Sequence, residues 1–259
     1  MASITDTAQR ELLSTGDALR LEGVSRSFGA LQAVEDVSFS VAAGGRRAVI
    51  GANGAGKTTL FNVITGDYAA SAGRVLFFGE DVTTHPPYER IRAGMRRTYQ
   101  SSLLFRDLTV RDNLFLAVRG ASRGRFGFLR SARNRSVADI LERVRLAAVA
   151  DEPVASLLHG QQRQLEIGMA LAGAPRLILF DEPAAGLSPA ERRELVALLR
   201  ALPGHMSFIL IEHDLEIALR VVDRVTVMHN GRMLKEGTPA EIENDPEVQE
   251  IYMGRAGHA

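Results

Sequence analysis

The segment Gly51-Ala-Asn-Gly-Ala-Gly-Lys-Thr58 decides the fold, because it fits the spacing G-x-x-x-x-G-K-[ST] of a phosphate-binding loop. Arg46 to Ile50 precedes the loop and predicts a short strand, and Lys57 to Thr65 predicts a helix that ends at Gly66. Between a strand and a helix, the backbone N–H groups of such a loop and the positive end of the helix dipole surround phosphate oxygens. The context therefore predicts a phosphate site rather than a glycine-rich turn without a ligand.

The polar side chains of the loop have separate predicted tasks. Lys57 can reach the β- and γ-phosphates, the Thr58 hydroxyl is a predicted Mg²⁺ ligand, and Thr59 is placed to bond an α-phosphate oxygen. The other residues of the predicted cradle are Gly51, Asn53, Gly54, Ala55 and Gly56.

Charged side chains follow two predicted core strands. Leu177 to Phe180 runs directly into Asp181 and Glu182, and Phe208 to Ile211 is followed by Glu212 and then His213. Ligands of open α/β sheets bind at such strand ends, so Asp181 is predicted to hold the Mg²⁺ shell and Glu182 to orient or deprotonate the attacking water. His213 is predicted to contact the γ-phosphate or that water, although a lone histidine is more often a surface or helix-capping residue.

The whole chain predicts an α/β fold, a P-loop NTPase core with a mixed or parallel sheet. Ala18 to Val24 and Ala33 to Val41 alternate like antiparallel strands, and the helical spacing from Leu103 to about Ala150 indicates an inserted helical subdomain. Arg224 to Met228 is a further predicted core strand. The predicted division is a flexible tail (1–17), one α/β domain (18–254, with the helical subdomain at about 103–172) and a C-terminal tail (255–259).

Composition excludes several classes of function. The 259 residues are 46% hydrophobic, yet no apolar run approaches the roughly 18 residues of a membrane-spanning helix. The first residues lack the pattern of a secretory signal, which predicts a cytoplasmic protein. With no cysteine there is no disulfide or thiolate metal site, and a formal net charge of zero gives no reason to expect nucleic-acid binding.

These motifs together resemble the nucleotide-binding subunits of ABC transporters, with Gly51 to Thr58 as Walker A and Leu177 to Glu182 as Walker B. The resemblance extends from about Leu19 to Gly254 and implies ATP and Mg²⁺ as ligands. It further implies that Gln100 is the Q-loop glutamine, which touches Mg²⁺ and couples the site to the membrane subunit, and that His213 is the switch histidine. Phe28 corresponds to the aromatic that stacks on adenine, with simple core packing as the alternative.

The family's signature L-S-G-G-Q corresponds to the run Leu157, Leu158, His159, Gly160 and Gln161. In the family this stretch caps the γ-phosphate bound by the opposite subunit, so a dimer is implied. Leu158 stands where the family has serine, and Ser188 stands where most members have the aspartate of the D-loop. We therefore expect a heterodimer with a second ATPase subunit, with a homodimer as the alternative, and His159 as a partial replacement for the missing hydroxyl.

Other details resemble the longer ATPase subunit of branched-chain amino-acid importers: Arg97-Thr-Tyr-Gln100, Leu108-Thr-Val110, Pro183-Ala-Ala-Gly186 and Glu250-Ile-Tyr-Met-Gly254. This subfamily implies transmembrane permease subunits, a solute-binding protein, a position on the cytoplasmic face of the membrane, and branched-chain amino acids or related small polar metabolites as cargo. The alternatives are the ATPase of a lipopolysaccharide exporter, a non-transport ABC ATPase, or a regulator that binds ATP without turnover.

One cationic stretch is left without a task in nucleotide binding. Its arginines, which have no acidic residue between them, are Arg119, Arg123, Arg125, Arg130, Arg133 and Arg135. It is either a solvated loop or, as we favour, a surface that lies against anionic lipid headgroups, with RNA as a further alternative.

Overall fold

The computed structural model describes residues 16–98, 104–121 and 130–253, and all residue contacts below belong to this part of the chain. Its strands are β1 Asp17–Phe28, β2 Leu31–Ala42, β3 Arg46–Gly51, β4 Ala72–Phe77, β5 Glu80–Asp81, β6 Met95–Arg97, β7 Leu177–Asp181, β8 Ser207–Glu212, β9 Arg224–His229 and β10 Arg232–Gly237. Its α-helices are α1 Lys57–Thr65, α2 Pro87–Ala93, α3 Val110–Ala121, α4 Arg130–Arg143, α5 His159–Leu171, α6 Pro189–Arg200, α7 Leu215–Val221, α8 Pro239–Glu243 and α9 Pro246–Met253.

The described strands form two sheets. A six-stranded sheet has the order β10-β9-β3-β8-β7-β6, in which β9, β3, β8, β7 and β6 run parallel and β10 is antiparallel to β9. A four-stranded antiparallel sheet has the order β2-β1-β4-β5. The prediction of a mixed, mainly parallel sheet with an N-terminal antiparallel region is therefore confirmed.

The central strands are apolar because both faces of the larger sheet are covered. Along β7, Leu177 and Leu179 join the core that contains α1 and the antiparallel sheet. Ile178 and Phe180 join the opposite core, which contains α6 and α7. Each of these fully buried side chains stabilises the layers by roughly 1.5–3 kcal/mol relative to exposure. This layering fixes the carboxyl ends of β3, β7 and β8 side by side.

The helices α3, α4 and α5 pack on one another, as the helical pattern predicts. Gly168 lies at their crossing, and a Cβ at this position would come within 3.1 to 3.4 Å of Leu114, Ile140 and Val144. The small residue thus allows close helix packing. The bounds 103–172 of the helical subdomain remain a prediction.

The predicted element boundaries agree with the structure to within a few residues. Helix α1 ends at Gly66, which has φ 84° and donates its N–H to the Val63 carbonyl. The strands predicted at Ala18–Val24 and Ala33–Val41 are each longer, because β1 and β2 continue pairing up to their hairpin turn. Most of the predicted N-terminal tail and all of the predicted C-terminal tail lie outside the described residues. Among the helices that the structure describes, none is long and apolar enough to cross a membrane.

Candidate active site

A cavity of about 720 Å³ opens beside the phosphate-binding loop, near the carboxyl ends of β3 and β7. Its lining residues are Leu31, Gln32, Ala33, Asn53, Gly54, Gly56, Lys57, Thr58, Thr59, Glu182, Asn230 and Gly231. Most of the loop residues predicted from sequence therefore share one cavity with the predicted catalytic carboxylate. Ala55 is buried, and Gly51 ends β3.

The loop is held close to neighbouring backbone. Gly56 has φ 95°, and a Cβ there would overlap the Ala33 carbonyl oxygen, so only glycine fits this position. Lys57 Nζ donates to the carbonyl oxygens of Gly51, at 2.7 Å, and Ala52, at 3.0 Å. Burial lowers the pKa of Lys57, an effect opposed by the negative charge of Glu182 and other carboxylates. The ammonium group is thus fixed within the loop.

Asp181 ends β7 with its carboxylate buried. Its Oδ2 accepts a hydrogen bond from Arg97 Nη2 at 2.7 Å, and its backbone N–H donates to the Thr98 hydroxyl oxygen at 3.1 Å. Its Oδ1 is also buried but has no hydrogen-bond partner among the described residues. An unpartnered buried carboxylate oxygen is costly, and a cation with its water shell is the kind of group that would satisfy it. The residues present therefore fit Mg²⁺.

Glu182 leaves the strand in an unusual backbone conformation. Its φ is 47°, in the left-handed region, while its N–H donates to the Ile211 carbonyl at 3.0 Å. His213 Nδ1 is 3.9 Å from Glu182 Oε2 and equally 3.9 Å from Glu212 Oε2. Three sequence-predicted residues, Asp181, Glu182 and His213, thus meet at the ends of β7 and β8, as expected from their positions after strands.

Glu212 was not singled out for a role from sequence. It is fully buried, and its Oε1 accepts a hydrogen bond from the Ala184 N–H at 2.9 Å. Burial raises the pKa of this carboxyl group, with the Ala184 bond acting in the opposite direction. Glu212 therefore ties the end of β8 to the turn that follows Glu182.

The predicted signature residues, Leu157 to Gln161, lie at the start of α5 and do not line this cavity. Leu158 is 70% exposed, and its N–H donates to Gln161 Oε1 at 3.0 Å. His159 Nε2 lies 3.3 Å from the Ala185 carbonyl oxygen, which points the ring toward the predicted D-loop. The segment is thus separate from the cavity beside this chain's own loop.

One side chain joins the predicted signature to the predicted D-loop. Glu191 Oε1 accepts from the Gly160 N–H at 2.9 Å, and its Oε2 accepts from the Ser188 N–H at 2.8 Å and the Ser188 hydroxyl at 2.7 Å. A Cβ at Gly160 would overlap this carboxylate, so glycine is required by the contact. Ser188 here has a clear task, because it caps α6.

Among the predicted residues that the structure describes, Asp181, His213 and Phe28 do not line the cavity itself. Phe28 is 39% exposed, and its ring packs edge-on to Tyr68 at 5.3 Å and under the Arg26 guanidinium at 4.5 Å, but it is not among the lining residues. Its role in stacking adenine stays a prediction. Gln100 lies outside the described residues, as do Arg123 and Arg125 of the cationic stretch.

One part of the cavity wall was not predicted from sequence. It is formed by Leu31, Gln32 and Ala33 on β2 and by Asn230 and Gly231. The Asn-Gly pair between β9 and β10 is a typical hairpin turn and could have been found. Gly231 donates its N–H to the Ala55 carbonyl at 3.1 Å, so this hairpin supports the phosphate-binding loop directly.

Comparisons with known proteins agree with this geometry. The profile of the family described as "ABC transporter" matches residues 34–185, and that of "Branched-chain amino acid ATP-binding cassette transporter" matches residues 236–258. The high-affinity branched-chain amino acid transport ATP-binding protein BraF of Pseudomonas aeruginosa is 36% identical over 250 residues, covering 92% of this chain and 98% of BraF. LivG of Escherichia coli, with the same description, has the same identity and coverage.

Solved structures give the same picture. The ATP-binding cassette MJ1267 of an ABC transporter superposes with a TM-score of 0.83 at 33% identity, covering 92% of this chain and 99% of MJ1267. The ADP conformation of MJ1267 superposes with a TM-score of 0.80 at 34% identity.

Proposed function

Because the chain belongs to the ABC transporter family and is an ATP-binding, ATP-hydrolysing transporter subunit, we propose that it powers the import of branched-chain amino acids or related small polar metabolites. The observation that carries this cargo class is the similarity of residues 236–258 to the branched-chain family. Relatives of nearly the same length, BraF and LivG, support it. They favour this importer over the lipopolysaccharide exporter considered above.

The geometry supports a division of tasks in ATP hydrolysis. Lys57 and the loop N–H groups hold the phosphates, and Glu182, which lines the same cavity, orients or deprotonates the attacking water. His213, which is 3.9 Å from Glu182, stabilises that arrangement from the end of β8. The proposed roles of Gln100 and Phe28 follow from the family resemblance alone.

Mg²⁺ is the proposed second ligand. It would be held by Thr58, which lines the cavity, and by Asp181, whose Oδ1 has no hydrogen-bond partner among the described residues. Bound there, the ion would neutralise negative charge on the phosphates.

An apolar groove supports the proposed contact with a transmembrane permease. It has a volume of about 260 Å³ and is lined by Ile91, Arg96, Arg97, Thr98, Leu104, Ala117, Gly120, Ala121, Glu166, Met169 and Ala170. Large exposed apolar side chains nearby in the chain are Tyr88 and Phe105, each 54% exposed, and Leu116, 39% exposed. An apolar groove of this kind is typical of a binding site for another protein. The proposed occupant is a short cytoplasmic segment of the permease, which would place this chain on the cytoplasmic face of the membrane.

A second ATPase subunit is the other proposed partner. The exposed Leu158 lies where a hydroxyl would face the opposite subunit's nucleotide, and His159 already contacts the Ala185 carbonyl. In a heterodimer, the missing hydroxyl at Leu158 affects only the nucleotide bound by the partner subunit. In a homodimer, it affects both nucleotide sites. A solute-binding protein completes the proposed system.

Transport by the reconstituted complex tests the proposal. The chain is purified with the membrane protein it binds and its partner ATPase, placed in proteoliposomes with the solute-binding protein, and assayed for uptake of labelled leucine. We expect ATP-dependent uptake and a loss of permease binding in Ile91→Asp. The control Met233→Asp, at an exposed position on β10, should bind normally. Permease-stimulated ATP hydrolysis without uptake of any branched-chain amino acid would contradict the cargo.

A further inference from the structure

Arg97 is a buried cation that forms an ion pair with Asp181, the carboxylate of the predicted Walker B motif. Its side chain is 7% exposed, and its Nη2 donates to Asp181 Oδ2 at 2.7 Å. Its Nη1 donates to Asn62 Oδ1 and lies 3.3 Å from Asp67 Oδ2. Asn62 belongs to α1, the helix that begins with Lys57 and Thr58. One guanidinium therefore joins the helix of the phosphate-binding loop to the end of β7.

The two oxygens of Asp181 differ because of this contact. Oδ2 is fixed by a charge-assisted hydrogen bond, whereas Oδ1 is buried without a partner among the described residues. The Asp181 N–H is also fixed, by the Thr98 hydroxyl oxygen at 3.1 Å. With both the backbone and one oxygen held, the carboxylate cannot rotate to exchange its two oxygens without breaking the ion pair.

We propose that Arg97 is a positioning residue for the metal site: it holds Asp181 Oδ2 so that Oδ1 alone is presented to the Mg²⁺ shell. Partners that orient metal ligands in this way typically change metal affinity by about 10- to 100-fold when removed. The inference rests on the proposed function, because Asp181 as a metal ligand is part of that proposal.

Charge and orientation predict opposite effects here, which makes the role testable. The positive charge of Arg97 repels a nearby cation, so removing the charge alone would strengthen metal binding. Losing the orientation of Asp181 would weaken it. A weaker metal affinity in Arg97→Met therefore reports positioning and cannot be caused by the missing charge.

The experiment measures equilibrium binding of Mn²⁺ to the full-length, ATP-loaded protein by electron paramagnetic resonance, with Glu182→Gln as background to prevent hydrolysis. We expect Arg97→Met to raise the Mn²⁺ dissociation constant by about tenfold, with ATP affinity in the absence of metal unchanged. Arg97→Lys should give an intermediate value, because lysine keeps the charge but lacks the planar fork that contacts Asp181 and Asn62 together.

Arg47→Met is the matched control. Arg47 is also buried and bonds Thr226 and Glu236, but it lies near the start of β3, at the end opposite the phosphate-binding loop. It should lower stability without changing Mn²⁺ affinity. If Arg97→Met does not fold, Asn62→Leu, which removes a partner of Nη1, should still raise the dissociation constant by a smaller factor.

The outcomes separate this inference from the proposed function. Absence of Mn²⁺-ATP binding in the protein with intact Arg97 would contradict the proposed metal site itself. Normal binding there, with no weakening in the Arg97 variants or with the same change in Arg47→Met, would overturn only the positioning role.

Discussion

The two regions of this chain that are proposed to contact ATP phosphates are built differently. The cavity beside Lys57 and Glu182 is attached to the carboxyl ends of strands buried on both faces, and its glycine, lysine and threonine spacing follows the family pattern without change. The region at the start of α5 departs from the pattern at Leu158. Its Gly160 N–H donates to Glu191, and its His159 ring contacts the Ala185 carbonyl oxygen of the same chain. The first region contains the predicted catalytic groups within one subunit. The second is proposed to act only on the nucleotide of another subunit.

This contrast separates the parts of the ATPase that depend on this chain alone from those that depend on its partner subunit. Groups that act on this chain's own nucleotide are positioned by its core, so substitutions there should act in any assembly. Groups at the start of α5 should act through whichever subunit lies opposite, so their effects should depend on the partner.

The largest effect is expected from Glu182→Gln, which tests the first region. The amide keeps the shape of the side chain but cannot accept the proton of the attacking water, so kcat should fall by about 10²- to 10⁴-fold. ATP affinity should be retained, and the nucleotide-bound dimer should accumulate. Single-turnover hydrolysis and size-exclusion chromatography with ATP measure both. Hydrolysis at the native rate would remove Glu182 as the base.

A smaller effect of opposite sign is expected from Leu158→Ser, which tests the second region. A hydrogen bond to a charged group contributes roughly 1.5–3 kcal/mol, so restoring the hydroxyl should raise the ATPase rate of the isolated chain by about one to two orders of magnitude. Leu108→Ser, at another exposed leucine, should leave the rate unchanged. The hypothesis that the two ATP sites of the dimer are unequal is contradicted if the isolated chain hydrolyses ATP as fast as the full complex and Leu158→Ser leaves that rate unchanged.

The smallest effect concerns Glu191, which joins the start of α5 to α6. Hydrogen bonds from the Ser188 side chain and then the Ser188 backbone lower the pKa of this carboxyl group in the folded protein. Because the pKa is lower in the folded than in the unfolded protein, ionised Glu191 stabilises the folded protein at pH values above the usual carboxyl pKa. This stabilisation is lost as the pH falls through the folded-state pKa. Wild type should therefore have a slightly higher Tm than Glu191→Gln at neutral pH, and the difference should disappear in acid.

The control for this titration is Glu194→Gln, at an exposed carboxylate on the same helix. It should not reproduce the pH-dependent difference. A Tm difference between wild type and Glu191→Gln that stays constant from neutral to acid pH would show that the contact does not depend on ionisation.

Much of the first region could be predicted because its signals are local. The loop spacing between β3 and α1, and the apolar run that ends at Asp181, are each contained in a short stretch of sequence. Contacts between distant stretches could not be predicted: Arg97 meets Asp181, and Gly160 meets Glu191, only after the sheet and helices have assembled. Arg97 belongs to a motif shared with the branched-chain importer ATPases, but no local pattern around it indicates that Asp181 is its partner.

At Glu182, the left-handed backbone conformation lowers folding stability, while the side chain is proposed to be needed for ATP turnover. Such a conformation costs a non-glycine residue roughly 1–3 kcal/mol, which the surrounding sheet must offset. Glycine at this position would relieve that strain while abolishing the carboxylate. A substitution that improves folding stability at this position would therefore remove the proposed catalytic group.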